Sequence, residues 1–497
     1  MTAAVGPPTA RRLPWERLAD GLLLAALLAT AALFAIRGTT IAGYPYELVY
    51  AEGALLALAT QPLEGRSLYP DIHGSLSLFN PYPPVFEWSA SLVMRTTGVG
   101  FQWGRGICLA LALATAVVVG WTVFRTTGAR FAGLVAGLFL LALPPMFIWG
   151  PLFTVDMPAL FLAVSGLALL TVRRPWAPWL ALFVFVAVLL TRHNYVAAPL
   201  AAGYHVYRQE RRRGLVWGLS LLLAVAAIAA LLQAATHGQV GLHLVRYLCG
   251  PYGTLVALYR VKTDLLAPLA PALLLLAVTV LPAARPYPPW LLAFWPLALA
   301  STLVVGHVGT TLNHYLPACA ATALLVGHAY GSQRVVRFQA GGRARRFPIA
   351  ALLLAQVVLL AEPGYVPGLP VNDVEFVRTP TPADRQTMDR VMAALQRAPR
   401  PVLCEVMGLP ILAGVPYDVE IEPMARLCRE NLWSQTRVLT ALQRGRYGTV
   451  LLSFDPEGDS WQRIRFTDEM LAAIRERYTL VERIGDWRFY APKAEPP

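Results

Sequence analysis

Apolar runs approaching or passing membrane-crossing length recur from Leu18 to Ala361 and then stop abruptly. A helix needs roughly 18 to 20 mostly apolar residues to cross a hydrocarbon core, where no water is present to satisfy an exposed backbone. One such run is compatible with a soluble protein, but a long series of them is not. The composition agrees: 56% of the 497 residues are hydrophobic and 14% are charged, where soluble domains carry about a quarter charged residues. The sequence predicts a polytopic α-helical membrane protein of about eleven transmembrane helices, followed by a soluble α/β domain.

The segments expected to be apolar helices are 18–36, 104–124, 131–149, 156–172, 176–190, 195–207, 214–232, 265–282, 290–306, 315–330 and 347–361. Residues 1–363 form the membrane part on this reading and 364–497 the second domain. Arg11 precedes the first run, and no small-residue cleavage pattern follows it, so that run is read as a retained helix. The formal net charge of +13 does not indicate nucleic acid, because the arginines sit in short loops rather than on one amphipathic face. Arg11 and Arg12, Arg125 and Arg130, Arg173 and Arg174, Arg208 with Arg211 to Arg213, Arg285, and Arg334 to Arg346 all fall on one side when the helices alternate. Basic loops face the cytoplasm. This alternation in the inner (plasma) membrane puts the N-terminus in the cytoplasm and three longer pieces outside: the loop 37–103, the loop 233–264 and the tail.

Within the first outer loop, Leu48 to Thr60 and Val85 to Met94 read as helices too short to span, lying along the membrane surface. Consecutive prolines in Asn80-Pro81-Tyr82-Pro83-Pro84 demand an extended or turned link between them. Trp88, Trp103, Trp149, Trp176 and Trp290 near helix ends suit an interfacial aromatic belt. In the tail, helical patterns at 382–396, 434–443 and 467–477 alternate with strands near 402–406, 448–454, 480–484 and 487–490. Such a domain of about 125 residues is large enough for a core of its own. The five cysteines show no metal or redox spacing, and Cys404 and Cys428 could either pair or stay reduced.

Three stretches together resemble the GT-C superfamily of integral membrane glycosyltransferases, which includes protein mannosyltransferases and the aminoarabinose transferase acting on lipid A. The first runs through Tyr50-Ala51-Glu52-Gly53, Gly65-Arg66-Ser67-Leu68-Tyr69-Pro70, Pro81-Tyr82-Pro83-Pro84 and Gly104-Arg105. The second is Thr154-Val155-Asp156-Met157-Pro158, at the acidic position of the family's second outer loop, and the third is Asn313-His314-Tyr315-Leu316-Pro317. Where many relatives carry Asp-Glu this chain has Ala51-Glu52, which leaves Glu47 and Glu52 as alternative first-loop acids.

The resemblance implies transfer of a sugar from a polyprenyl-phosphate donor to an acceptor on the outer face. Such chemistry needs a carboxylate to take the acceptor proton, and cationic groups or a divalent metal to hold the departing phosphate. Glu52, Asp156 and Glu47 are the candidate acids. Arg192, His193, Arg105, Arg246, Arg260 and Lys262, with Asn313, His314 and Tyr315, are candidates for holding the donor. Each also has an ordinary reading: an N-cap for Asp156, a solvated helix face for Glu52, headgroup anchoring for Arg192 and His193, and capping or packing for the Asn313 stretch. Asp455, Glu457 and Asp459 read as a turn. Two rival functions remain at this stage: a transporter or flippase, for which matching broken helices are missing from the sequence, and a non-catalytic envelope-assembly protein.

Overall fold

The computed structural model describes residues 14–280, 287–307, 309–331, 350–356 and 378–494. The N-terminal arginines, Arg285, Arg334 to Arg346 and most of the segment 347–361 lie outside the described residues. The apolar segments expected between Leu18 and Tyr330 each coincide with a helix: α1 (Pro14–Gly43), α4 (Gln102–Thr127), α5 (Arg130–Ala142) with α6 (Pro144–Trp149), α7 (Asp156–Leu169), α8 (Ala177–Thr191), α9 (Ala197–Gln209) and α10 (Arg211–Ala235), then Ala270–Val280, Pro289–Ser301 and Leu316–Gly331. Two shorter helices, α2 (Tyr50–Thr60) and α3 (Val85–Thr97), occupy the first long loop.

Side-chain exposure shows which solvent these helices are made for. Leu18, Leu28, Leu33 and Ile36 on α1 and Leu215, Leu219, Leu222 and Leu231 on α10 are all exposed. Water does not tolerate such continuous apolar faces, whereas lipid does. Inside the bundle, small residues let backbones touch. A Cβ on Gly133 would stand 2.5 Å from the Gly120 carbonyl oxygen, so α4 and α5 pack at glycine distance.

The run 131–149 is broken at Pro144, because Leu143 before it takes an extended conformation (φ −74°, ψ 132°) that ends α5 and starts α6 at a new angle. The aromatic belt also shrinks. Trp88 and Trp176 are exposed, but Trp149 and Trp290 are buried in the helical core and serve packing instead.

The tail forms a four-stranded sheet in the order β1-β2-β4-β3, with β1 (Val402–Cys404) parallel to β2 (Thr449–Leu452) and the hairpin β3 (Tyr478–Ile484) with β4 (Trp487–Pro492) antiparallel. Helices Gly408–Ala413, Ile421–Arg429 and Thr436–Gln443 fill the β1-to-β2 crossover that a parallel pair requires. Asp455 accepts from the Glu457 amide at 3.0 Å, the turn read from the sequence. Cys404 and Cys428 are free thiols.

The tail core also takes in residues from outside the tail. Ile72, Phe79 and Tyr247 pack among its buried residues on one side, and Tyr44 on the other. Ser77 exchanges backbone hydrogen bonds with Asp418 and Glu420 at 2.9 and 2.8 Å, and the Trp433 indole donates to the Ile72 carbonyl at 3.0 Å. Helix Gly408–Ala413 lies on α2. For that reason α2, expected to lie along the membrane surface, is buried from Leu55 to Thr60. Of the two loop helices, α3 is the one with an exposed apolar edge, at Trp88 and Leu92.

Candidate functional site

Four separated sequence motifs meet around Asp156. Its carboxylate, at the first turn of α7, is buried and lies 2.6 Å from Arg192 Nη1. Arg192 ends α8 in an extended conformation, and the short turn Arg192-His193-Asn194 that follows before α9 is what aims its side chain at α7. The Asn313 amide donates to Asp156 Oδ2 at 3.0 Å, and the Tyr195 hydroxyl approaches Oδ1 at 3.5 Å.

Aromatic faces and polar atoms frame the guanidinium. Its central carbon lies 5.7 Å from the Tyr82 ring centroid and 5.5 Å from that of Tyr195, both in cation–π range. Nε donates to Asn194 Oδ1 at 3.1 Å, and Nη2 is 3.5 Å from the His314 ring nitrogens. Burial, then the charges of Arg192 and Arg260, push the His314 imidazole well below its usual range, so it is neutral at pH 7. Burial and Arg192 hold His193 at about 4, and its Nδ1 has no partner. The result is a fixed cation beside a carboxylate and two neutral imidazoles, a set able to receive an anion and to accept a proton.

The other sequence candidates separate into distinct networks. Glu52 is fully buried and is gripped by Arg105, Nε to Oε1 at 2.7 Å and Nη2 to Oε2 at 2.5 Å. It also accepts from the amides of Leu48 at 3.1 Å and Phe153 at 2.9 Å, so both oxygens are doubly occupied. Arg105 in turn donates to the carbonyls of Tyr44 at 2.6 Å and Tyr46 at 2.7 Å. This pair ties the loop 37–103 to the Phe153 segment that carries Asp156.

Glu47 faces the tail. Its Oε2 accepts from the Gly408 amide at 2.7 Å, while Oε1 is buried without a partner. Burial raises its carboxyl well above the usual range, against the lowering effect of the Gly408 bond. Tyr315 joins a neighbouring cluster, donating to Asp264 Oδ2 at 3.3 Å, with Arg260 3.5 Å from the same oxygen. Arg246 and Lys262 are exposed, and among the described residues no hydrogen bond or ion pair links either of them to the Asp156 network. The described residues contain no group of three or more His, Cys, Asp or Glu arranged for a metal.

Sequence reasoning passed over Asn194, Tyr195 and Glu87. Asn194 and Tyr195 follow Arg192 and His193 directly, so a polar Arg-His-Asn-Tyr turn between two apolar runs was their visible signal. Glu87, an acidic residue on an apolar helix three positions after Pro84, was equally visible as an anomaly.

No protein-family model and no curated protein matches this chain. Among solved structures, ArnT from Cupriavidus metallidurans bound to undecaprenyl phosphate superimposes with a TM-score of 0.61 at 14% identity, covering 94% of this chain and 98% of that one. The apo state of the same protein gives a TM-score of 0.62 at 13% identity over the same shares. At this identity the likeness concerns the fold, and it runs through helices and tail alike. The likeness extends over nearly the whole chain, which therefore has the fold of ArnT.

Proposed function

We propose that this protein is a GT-C type glycosyltransferase of the inner membrane that moves a sugar from a polyprenyl-phosphate donor to an extracytoplasmic acceptor. The observation that carries this reading is the buried Asp156–Arg192 pair, framed by Tyr82, Asn313 and His314, in a fold shared with a solved structure bound to undecaprenyl phosphate. Arg192 takes the donor phosphate and stabilises the charge that grows on it as the sugar leaves. The phosphate competes with Asp156 for the guanidinium and releases the carboxylate to accept the acceptor hydroxyl proton. Asp156 fits the base role better than Glu52, whose oxygens are already occupied. Glu47 retains one unpartnered oxygen and is the alternative base.

On this reading residues 1–363 are the catalytic membrane domain and 364–497 an extracytoplasmic domain that closes over the first loop, with membrane lipids around the helices and no nucleic acid as partner. Two measurements test it. Deleting the gene removes one sugar from an envelope glycan, lipid or protein, and the purified protein binds undecaprenyl phosphate. A deletion that blocks passage of an intact lipid-linked sugar across the membrane, with every linkage still formed by purified protein lacking Asp156, supports a transporter instead. Orientation is tested separately. Cysteines placed at Gly458 in the tail react with an impermeant reagent in intact spheroplasts, whereas cysteines at Arg173 react only after lysis; the reverse pattern overturns the topology.

A further inference from the structure

Glu87 and Ser91 lie one turn apart on the buried stripe of α3, and no other residue supplies a hydrogen-bond partner to either Glu87 carboxyl oxygen or to the Ser91 hydroxyl. Buried polar atoms are almost always paired, so three orphans on one helical face call for a ligand group that supplies the missing partners. Their position ties them to the site above. Tyr82, five residues before Glu87, has the Arg192 guanidinium 5.7 Å from its ring centroid. Geometry joins the two places: the ring of Phe86, next to Glu87, lies 5.3 Å from that of Phe153, three residues before Asp156, and α3 packs on α8, which Arg192 ends.

We propose that Glu87, with Ser91, binds a hydroxyl of the sugar that the donor lipid carries. The proposal rests on the reading that Arg192 holds the donor phosphate. A sugar bonded to that phosphate starts at Arg192, and its ring extends past Tyr82 toward α3. Burial raises the Glu87 carboxyl to about 8, so at neutral pH it is a protonated acid that both donates and accepts, as a sugar hydroxyl does. The elements packed on α3 are α2, the turn Gln61–Glu64 and α8. Their ionisable groups are Glu52, held by Arg105, then Glu64, paired with the neighbouring Arg66, and Arg192 with the neutral His193 just beyond α8. Tyr69 and Tyr82 complete the surroundings, and none of these supplies a hydrogen bond to the Glu87 carboxyl.

The test compares full-length protein in lipid nanodiscs binding undecaprenyl phosphate with its binding of undecaprenyl-phosphate-linked glucose, mannose and arabinose. The wild type binds at least one sugar-linked form more tightly than the bare lipid. Glu87→Ala and Glu87→Leu lower that preference about tenfold and leave the affinity for bare undecaprenyl phosphate unchanged. Glu87→Gln, which keeps a donor and an acceptor, retains most of it. The wild-type preference also declines as pH rises through about 8, as the acid ionises, and the decline is missing in Glu87→Gln. The proposal is overturned if the wild type shows no preference, or if Glu87→Ala and Glu87→Leu keep it. It is equally overturned if these variants lose transfer with donor preference intact, since Glu87 then serves the acceptor. Failure of the parent reading looks different, because Arg192→Ala then binds bare undecaprenyl phosphate as the wild type does.

Discussion

Replacing Asp156 by Asn lowers sugar transfer by roughly a hundredfold or more while donor binding survives, because a general base contributes about 10² to 10⁴ to the rate. The amide keeps an oxygen for the Asn313 donor, whose present distance is 3.0 Å, so the local packing remains. It cannot accept the acceptor proton. It also leaves Arg192 buried without its counter-charge, and an uncompensated buried charge is costly. The donor phosphate restores that compensation. Undecaprenyl phosphate therefore raises the melting temperature of Asp156→Asn more than that of the wild type. Arg192→Ala loses both transfer and this lipid-dependent stabilisation. Single-turnover transfer and thermal unfolding in detergent measure the two effects. Full transfer by Asp156→Asn would move the base elsewhere, with Glu47 as the next residue to replace by Gln.

Glu52→Ala and Arg105→Ala each destabilise the protein by roughly 3 to 5 kcal/mol, the cost of leaving one buried charge without its partner. The side chains are 0% exposed and the closer contact is 2.5 Å, so solvent does not screen the loss. Loop 37–103 and the Phe153 segment are held by the same atoms, so activity falls together with folded protein. The double variant Glu52→Leu with Arg105→Met removes both charges and recovers much of the stability of either single change. Thermal unfolding and yield of monodisperse protein read the outcome. If Glu52→Ala melts like the wild type yet no longer transfers sugar, Glu52 acts in the chemistry and the positioning role assigned to it is wrong.

These two acids looked alike in sequence. Each stands near a helix start beside a loop, and neither has a neighbour in the chain that reveals its partner. The difference lies 53 residues away for Glu52, at Arg105, and in α8 and the Asn313 stretch for Asp156. An isolated carboxylate signals that burial at a membrane interface is costly and needs an explanation. Which explanation applies depends on how many of its lone pairs are already taken. Glu52 has four donors within hydrogen-bond distance, while Glu47 has an unpartnered oxygen and Asp156 faces a cation that a phosphate can compete for.

The sequence by itself determined the helices and their solvent. Apolar length is a local property, and a backbone in lipid has no alternative to satisfying its own hydrogen bonds. The alternation of helix and strand in the tail was legible for the same reason, since periods of 3.6 and 2 are written within a few residues. Tertiary structure alone decided that α2 is buried under helix Gly408–Ala413, that Trp149 and Trp290 leave the interface, and that the tail completes its core with Ile72, Phe79 and Tyr247. It also decided which cation each carboxylate meets. Those pairings join residues far apart in the chain, and their energy comes from desolvation and geometry that arise only when separate helices pack. A charge in a loop can be read from sequence, whereas the environment that turns it into a base, a clasp or an acid comes from the fold.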